Sequence, residues 1–318
     1  MINYFIFNYS KHNHFIDSFL VSASLAHKQE KKSTDWFKWK FRDNPFGQTI
    51  LACAEEDGEI VGCVGYGLQE FYLNGKLVKG SLAFENFVHP KYQRKGVFKK
   101  LIALLEKEIS KKRVDFLLVF PNTNSLPGYV RMNWSKLTSP EYRIKGNKTF
   151  KLLFSLKELK KGFIPNESNL MELNMFKDFK QSSIDGFYSV ISTEYLNWRF
   201  FTYPVSEYVV INNENYQSII RMGKRGNLLE GQVLFLNITD EKAFRMSDFM
   251  KKCKEKINYD LISFSITQSN PIHKRLKRSM FIKVPNKTNI CFKIINHNAI
   301  TDEDMKNISL SAINYHTY

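Results

Sequence analysis

The chain has 318 residues, of which 43% are hydrophobic and 25% charged, and a net charge of +16. That length and composition suit about two globular domains with sizeable cores. No apolar run approaches the roughly 20 residues of a membrane span, and Met1 to Leu25 lacks the pattern of a signal peptide, so a soluble cytoplasmic protein is expected.

The excess charge suits an anionic partner, but it is mostly lysine spread along the chain. Clusters such as Lys111-Lys112-Arg113 read as solvated helix faces, which puts nucleic acid behind a phosphorylated small molecule. The cysteines at 53, 63, 253 and 291 show no C-x-x-C spacing and read as buried reduced thiols; no metal site is expected.

In chain order, Asn3 to Tyr9 has a strand composition, and Phe15 to Leu25 has helical spacing. Asp35 to Phe41 reads as a short helix capped by Thr34 or Asp35 and stopped by Asn44-Pro45-Phe46-Gly47. Strands follow at Thr49 to Glu55 and Ile60 to Leu68 around Asp57-Gly58. A hairpin is expected at Asn74-Gly75, between Phe71-Tyr72-Leu73 and Lys76-Leu77-Val78. Leu82 to Val88 is a strand, Phe98 to Ile109 an amphipathic helix, and Asp115 to Phe120 a buried strand. A short helix ends near Asn133-Trp134. Strands near Lys136 to Ile144 and at Thr149 to Leu156 close this half.

The second half repeats the order. Ile16-Asp17-Ser18-Phe19 recurs as Ile184-Asp185-Gly186-Phe187. Trp39-Lys40-Phe41 with Pro45 recurs as Trp198-Arg199-Phe200 with Pro204. Gln232 to Ile238, Ala243 to Ile257 and Tyr259 to Ile266 repeat the strand, helix and strand, and Asn289 to Ile295 closes the chain. A matching order across both halves argues for duplication, with domains 1–160 and 161–318 meeting near Lys160 to Ser168.

The most informative stretch is Gln93-Arg94-Lys95-Gly96-Val97-Phe98, between an apolar strand and a helix. Free backbone N–H groups at such a turn, with the positive end of a helix, form a place for a phosphate. A second stretch, Asn122 to Trp134, contains Asn122, Ser125 and Tyr129 at spacings of three and four.

Together the two stretches resemble the GNAT acetyltransferases, acetyl-CoA-dependent N-acetyltransferases. The first is similar to that family's Q/R-x-x-G-x-G/A pyrophosphate loop, except that Phe98 replaces Gly or Ala. The second is similar to N-x-x-A-x-x-x-Y-x-x-x-G-F, with Ser125 for Ala and Asn133-Trp134 for Gly-Phe. The resemblance implies an α/β (α+β) fold of two GNAT-like units, each a mixed, mostly antiparallel sheet flanked by helices.

It further implies that Gln93, Arg94, Lys95, Gly96, Val97 and Phe98 hold the pyrophosphate of acetyl-CoA and that Asn122 and Ser125 meet its pantetheine arm. A backbone N–H of Phe87 or Val88 would polarise the thioester, and Tyr129 would protonate the leaving thiolate. Glu85, an acid in an apolar strand, is the candidate base, with burial expected to raise its pKa. Glu70 and Asn86 are reserve substrate contacts.

The turn after Ile238 is acidic and glycine-free (Thr239-Asp240-Glu241-Lys242), so the second unit is read as degenerate. Trp198, Arg199 and Tyr203 would help line a substrate cleft, or else repeat a core element. The implied reaction moves an acetyl group to the amine of a small molecule such as an amino sugar. A FemABX-like aminoacyl-tRNA-dependent transferase and a non-catalytic CoA-binding module are the alternatives. The acceptor and the oligomeric state are left open.

Overall fold

A computed structural model describes residues 1–147, 157–167, 179, 181, 185–203, 206–286 and 288–315. The expected strand at Thr149 to Leu156, and Ile184 and Pro204 of the repeat, lie outside the described residues. The chain forms two compact units. The first comprises Met1–Tyr72, Lys76–Leu137 and Ile290–Met305; the second comprises Leu73–Gly75, Thr138–Asn289 and Lys306–Tyr318. A single division between residues 160 and 161 does not reproduce these units, because each takes in a strand from the other half of the sequence.

In the first unit, β1 (Asn3–Ile6), β2 (Ile50–Glu56), β3 (Glu59–Leu73), β4 (Lys76–Val88), β5 (Phe116–Val119) and β6 (Ser135–Leu137) build one sheet. The chain then enters the second unit with β7 (Glu141–Gly146), β8 (Phe163–Pro165) and β9 (Phe187–Ser189). The strands β10 (Tyr208–Asn213), β11 (Tyr216–Arg225), β12 (Leu228–Ile238), β13 (Leu261–Ile266) and β14 (Ile282–Val284) follow. Strand β15 (Ile290–Ile294) returns to the first sheet and lies between β5 and β6, antiparallel to both. Correspondingly, β7 lies between β13 and β14. Most pairings are antiparallel, but β4–β5 and β12–β13 are parallel, one at the same place in each unit.

The helices of the first unit are α1 (Ile16–His27), α2 (Thr34–Phe37), α3 (Val97–Lys111) and α4 (Leu126–Arg131). Those of the second include α5 (Thr193–Asn197), α6 (Met246–Lys256) and α7 (Ile272–Arg278). Helix α3 buries Val97, Leu101, Ile102, Leu105 and Ile109, which join Ile50, Ala52 and Val64 in one core. Each such leucine or isoleucine contributes about 1.5–3 kcal/mol by leaving water.

The two Trp-containing elements are alike in detail. Both α2 and α5 run into a wider π-type turn, Lys38–Arg42 and Trp198–Thr202. Both helices are capped by a serine. Ser33 Oγ accepts from Trp36 N, and Ser192 Oγ accepts from Tyr195 N. The cap of α2 is therefore Ser33 rather than Thr34 or Asp35. All four cysteines are free and buried.

The expected hairpin forms at Asn74-Gly75, where both residues take positive φ (49° and 79°), as a type I′ turn requires. Its flanking segments are longer than expected. Phe71–Leu73 continues the strand from Ile60, and Lys76–Val78 continues into Leu82–Val88. Gly80 permits the second continuity. A Cβ there would lie 2.5 Å from Phe116 Cζ, so only glycine lets β4 pass under that ring.

Candidate active site

Strand β4 pairs with β5 only from Gly80–Phe116 to Leu82–Leu118, yet it runs on to Val88. Its free end carries most of the residues of interest. Glu85 breaks the strand's regularity with φ +52°, a left-handed conformation that costs a non-glycine residue about 1 kcal/mol or more. Beside this irregularity, Asn86 Oδ1 takes the N–H of Gly65 on β3 (3.0 Å), and Asn86 Nδ2 donates to the Tyr129 hydroxyl (2.7 Å). Asn86 thus ties the end of β4 to α4.

After β4 the chain makes a short turn at Pro90–Tyr92, with the His89 side chain accepting from Lys91 N (3.3 Å). Arg94 and Gly96 then take positive φ, 63° and 78°, before α3 starts at Val97. The first turn of a helix has N–H groups without intrahelical partners and carries the positive end of the dipole. A Cβ on Gly96 would meet nothing within 4 Å. Glycine is needed here for its backbone angle, and the space in front of it is open. The turn therefore fits a pyrophosphate.

Two cavities flank this turn. One, of about 410 Å³, is lined by Tyr92, Gln93, Arg94, Gly96, Lys99 and Arg131, among others. The other, of about 380 Å³, is lined by His27, Asn86, Phe87, Asn122, Ser125 and neighbouring residues. Val88, Gln93, Phe98 and Gly128 line both. The first cavity is cationic and the second is lined by uncharged polar and apolar groups together with a histidine. A ligand with an anionic end and an amide-bearing arm matches that division.

Phe98, the departure from the loop pattern, stands at the junction. Its ring packs edge-on against Tyr129 (centroids 5.6 Å apart). A Cβ on Gly128 would lie 3.9 Å from its Cε1. The ring fills part of a space that a smaller residue would leave open.

Asn122 Oδ1 accepts the N–H groups of Asn124 and Ser125 (both 3.0 Å) and so shapes the turn into α4. Its NH2 is its remaining donor toward a ligand. Pro127 and Gly128 do not prevent α4 from forming. Asn133 ends it at φ +62°, the conformation expected of Asn in place of Gly.

Tyr129 is only 1% exposed and is not among the residues lining either cavity. Its ring lies edge-on to Trp134 as well as Phe98. Burial raises its pKa, outweighing the hydrogen bond from Asn86, so the phenol stays protonated.

The expectation that burial leaves Glu85 with a raised pKa is incorrect. Burial does push it up, but the charge of Lys40 and hydrogen bonds to His27 and Lys40 outweigh this, and the value falls from 4.5 to about 2. Lys40 Nζ lies 2.6 Å from Glu85 Oε1, and the lysine side chain is fully buried. His27 Nε2 lies 3.5 Å from Oε2. Glu85 is thus a permanent carboxylate at neutral pH and does not line either cavity.

Sequence reasoning did not select His27 or Lys40 as site residues. Lys40 had a signal, a cation inside the apolar run Trp36 to Phe41. His27 had none, since it meets β4 only in three dimensions.

Glu70 is half-buried and stands outside both linings. Trp198 and Arg199 are buried in the second unit, 8% and 4% exposed. The Arg199 guanidinium donates to Ile313 O and lies 5.6 Å over Phe200, and burial lowers its pKa to about 10. Tyr203 is half-buried. Trp198 and Arg199 repeat Trp39 and Lys40, which are also buried.

At the position of the basic turn the second unit has Asp240. Its carboxylate accepts the N–H groups of Lys242 and Ala243 (2.8 and 2.9 Å). A side-chain anion thus satisfies two backbone N–H groups of this turn.

Comparison with known proteins agrees with this geometry. The profile of an acetyltransferase (GNAT) domain matches residues 12–137. A search of curated proteins returns no match. Among solved structures, a GCN5-related N-acetyltransferase from Anabaena variabilis superposes with a TM-score of 0.62 at 10% identity, covering 93% of this chain and 73% of its own. A probable N-acyltransferase from Enterococcus faecalis gives 0.59 at 9% identity, with the same coverages. Eis1 from Mycobacterium abscessus gives 0.58 at 11%, covering 94% of this chain and 75% of its own. Residues 12–137 therefore belong to the acetyltransferase (GNAT) domain family, in a chain with the fold of the GCN5-related N-acetyltransferases.

Proposed function

We propose that the chain is an N-acyltransferase that moves an acyl group, most simply acetyl, from acyl-CoA to an amine of a small molecule. The observation that carries this reading is the left-handed turn at Arg94 and Gly96, opening α3 beside a cationic cavity that adjoins a second, uncharged polar one. Arg94, Lys95, Lys99 and Arg131 supply positive charge to the CoA phosphates, and the first N–H groups of α3 supply directed donors. Asn122, Ser125, Phe87 and Val88 receive the pantetheine arm and the thioester. Bound acyl-CoA provides the activated carbonyl that the amine attacks.

Tyr129 lies just behind the cavity wall, its hydroxyl accepting from Asn86, and we assign it as the proton donor to the departing sulfur. Glu85 acts as a fixed negative charge rather than as a base with a matched pKa. In the second unit Asp240 blocks the equivalent turn, so one acyl-CoA per chain is expected. An amino sugar is the acceptor class we favour, since its phosphorylated or nucleotide forms suit a strongly basic protein.

Thiol release from acetyl-CoA tests the reading. The purified chain is mixed with acetyl-CoA and, in turn, glucosamine, spermidine, lysine and a peptide with a free α-amine. Amine-dependent thiol release supports an N-acyltransferase. No release with any amine, together with tRNA binding that falls steeply with salt, would replace it by the aminoacyl-tRNA-dependent reading.

A further inference from the structure

We propose that His27 is the general base of the reaction and that Glu85, held by Lys40, is its positioning residue. This rests on the acyltransferase reading. Among the described residues lining the cavity beside Asn86 and Asn122, His27 is the one ionisable side chain. The remaining lining residues are amides, a serine, and apolar or glycine positions.

The geometry gives His27 the features of an oriented base. It is the last residue of α1, and Lys28 closes the helix at φ +55°. The His27 ring stands edge-on to Phe87 with centroids 6.1 Å apart, beside the strand assigned to the thioester. Nε2 faces the Glu85 carboxylate at 3.5 Å. That leaves Nδ1 to take a proton. The charged groups around the ring are Glu85 from β4 and, behind it, Lys40 from the π-type turn. Lys40 keeps Glu85 ionised, and the ionised Glu85 stabilises the imidazolium that forms. The His27 side chain is 35% exposed, so its proton can pass on to solvent.

The step balances as follows. The acceptor arrives as an ammonium ion, and Nδ1 of His27 removes its extra proton and releases it to water. The neutral amine then forms the new N–C bond. The C–S bond breaks with its electron pair on sulfur. The sulfur is protonated by Tyr129, which recovers a proton from the amide nitrogen. The products are one amide, one thiol and one proton in solution.

The test compares wild type, His27→Gln, and the double variant Lys40→Met/Glu85→Gln, in which no buried charge is left unpaired. Each is assayed with the best amine of the panel above, with acetyl-CoA affinity measured separately by calorimetry. For His27→Gln we expect kcat lower by about 100-fold, unchanged acetyl-CoA affinity, and loss of the acidic limb of the pH profile of kcat. In the double variant the limb persists, because the imidazole is still present, but kcat falls, because the anion that orients the ring is gone.

A His27→Gln enzyme with wild-type kcat and an intact acidic limb overturns the assignment while leaving the acyltransferase reading in place. Loss of acetyl-CoA affinity in parallel with kcat also overturns it, by making His27 a binding residue. A wild type that responds to none of the amines overturns both.

Discussion

Replacing Lys40 by methionine isolates the interaction on which the site's electrostatics depend. Methionine keeps much of the stem that packs beside Trp36, whose ring centroid lies 4.7 Å from Nζ, but removes the cation. Glu85 is then left with a carboxylate that is 14% exposed and has lost its closest partner. In the wild type the carboxyl is held near 2 instead of 4.5, which corresponds to about 3 kcal/mol at neutral pH.

Removing one member of a buried pair costs about 3–5 kcal/mol, so the two routes agree. The expected fall in melting temperature is on the order of 10 °C. The folded-state pKa lies below the unfolded one, so the contribution is complete above pH 4.5 and is lost as pH falls toward 2. The gap between wild type and Lys40→Met should therefore narrow through that window. Thermal unfolding at pH 7.0 and pH 3.5 measures it. A variant as stable as wild type at pH 7.0, or a gap independent of pH, would refute the reasoning.

Other expected outcomes follow from the same geometry. Tyr129→Phe should lower kcat by roughly 100-fold while leaving acetyl-CoA affinity nearly unchanged, as loss of a proton donor does; steady-state kinetics with calorimetry separates the two. Phe98→Ala should join the two cavities and remove the edge-on contact with Tyr129. It should lower stability by about 1–3 kcal/mol and tighten acetyl-CoA binding, which urea unfolding and calorimetry report. Calorimetry should also give one acetyl-CoA per chain, and Asp240→Ala should not change that stoichiometry, because the turn of the second unit also lacks the glycine of the first.

Much of the fold could be read from local signals. Asn74-Gly75 specified its hairpin through the positive φ that both residues adopt. The repeated Trp-Lys-Phe and Trp-Arg-Phe elements identified the duplication, and the structure shows the same cap and π-type turn in both. The exchange of β7 and β15 between the units was not legible. Strand β15 is mostly apolar and β7 mixes charged and apolar residues, and nothing in either composition says which sheet it completes.

The left-handed turn before α3 was legible because its features are local: a glycine at positive φ, cations, and a helix start. The Glu85–Lys40–His27 cluster was not, because its members lie far apart in sequence. Glu85 was found as an acid in an apolar strand, but its partners at 27 and 40 come from other elements. Without them its pKa was assigned the wrong direction. Trp198 and Arg199 could be read either as cleft or as core residues, since large aromatics and arginine serve both roles; both are buried.

The central claim is that the turn from Gln93 to Phe98 holds acyl-CoA. Calorimetric titration of acetyl-CoA into the wild type and Gly96→Glu, side by side, tests it most directly. Glutamate at φ +78° is strained and places a negative charge where the pyrophosphate would lie. The wild type should show a single site, and the variant, which should still melt cooperatively, no measurable binding. Equal binding by the two proteins would contradict it.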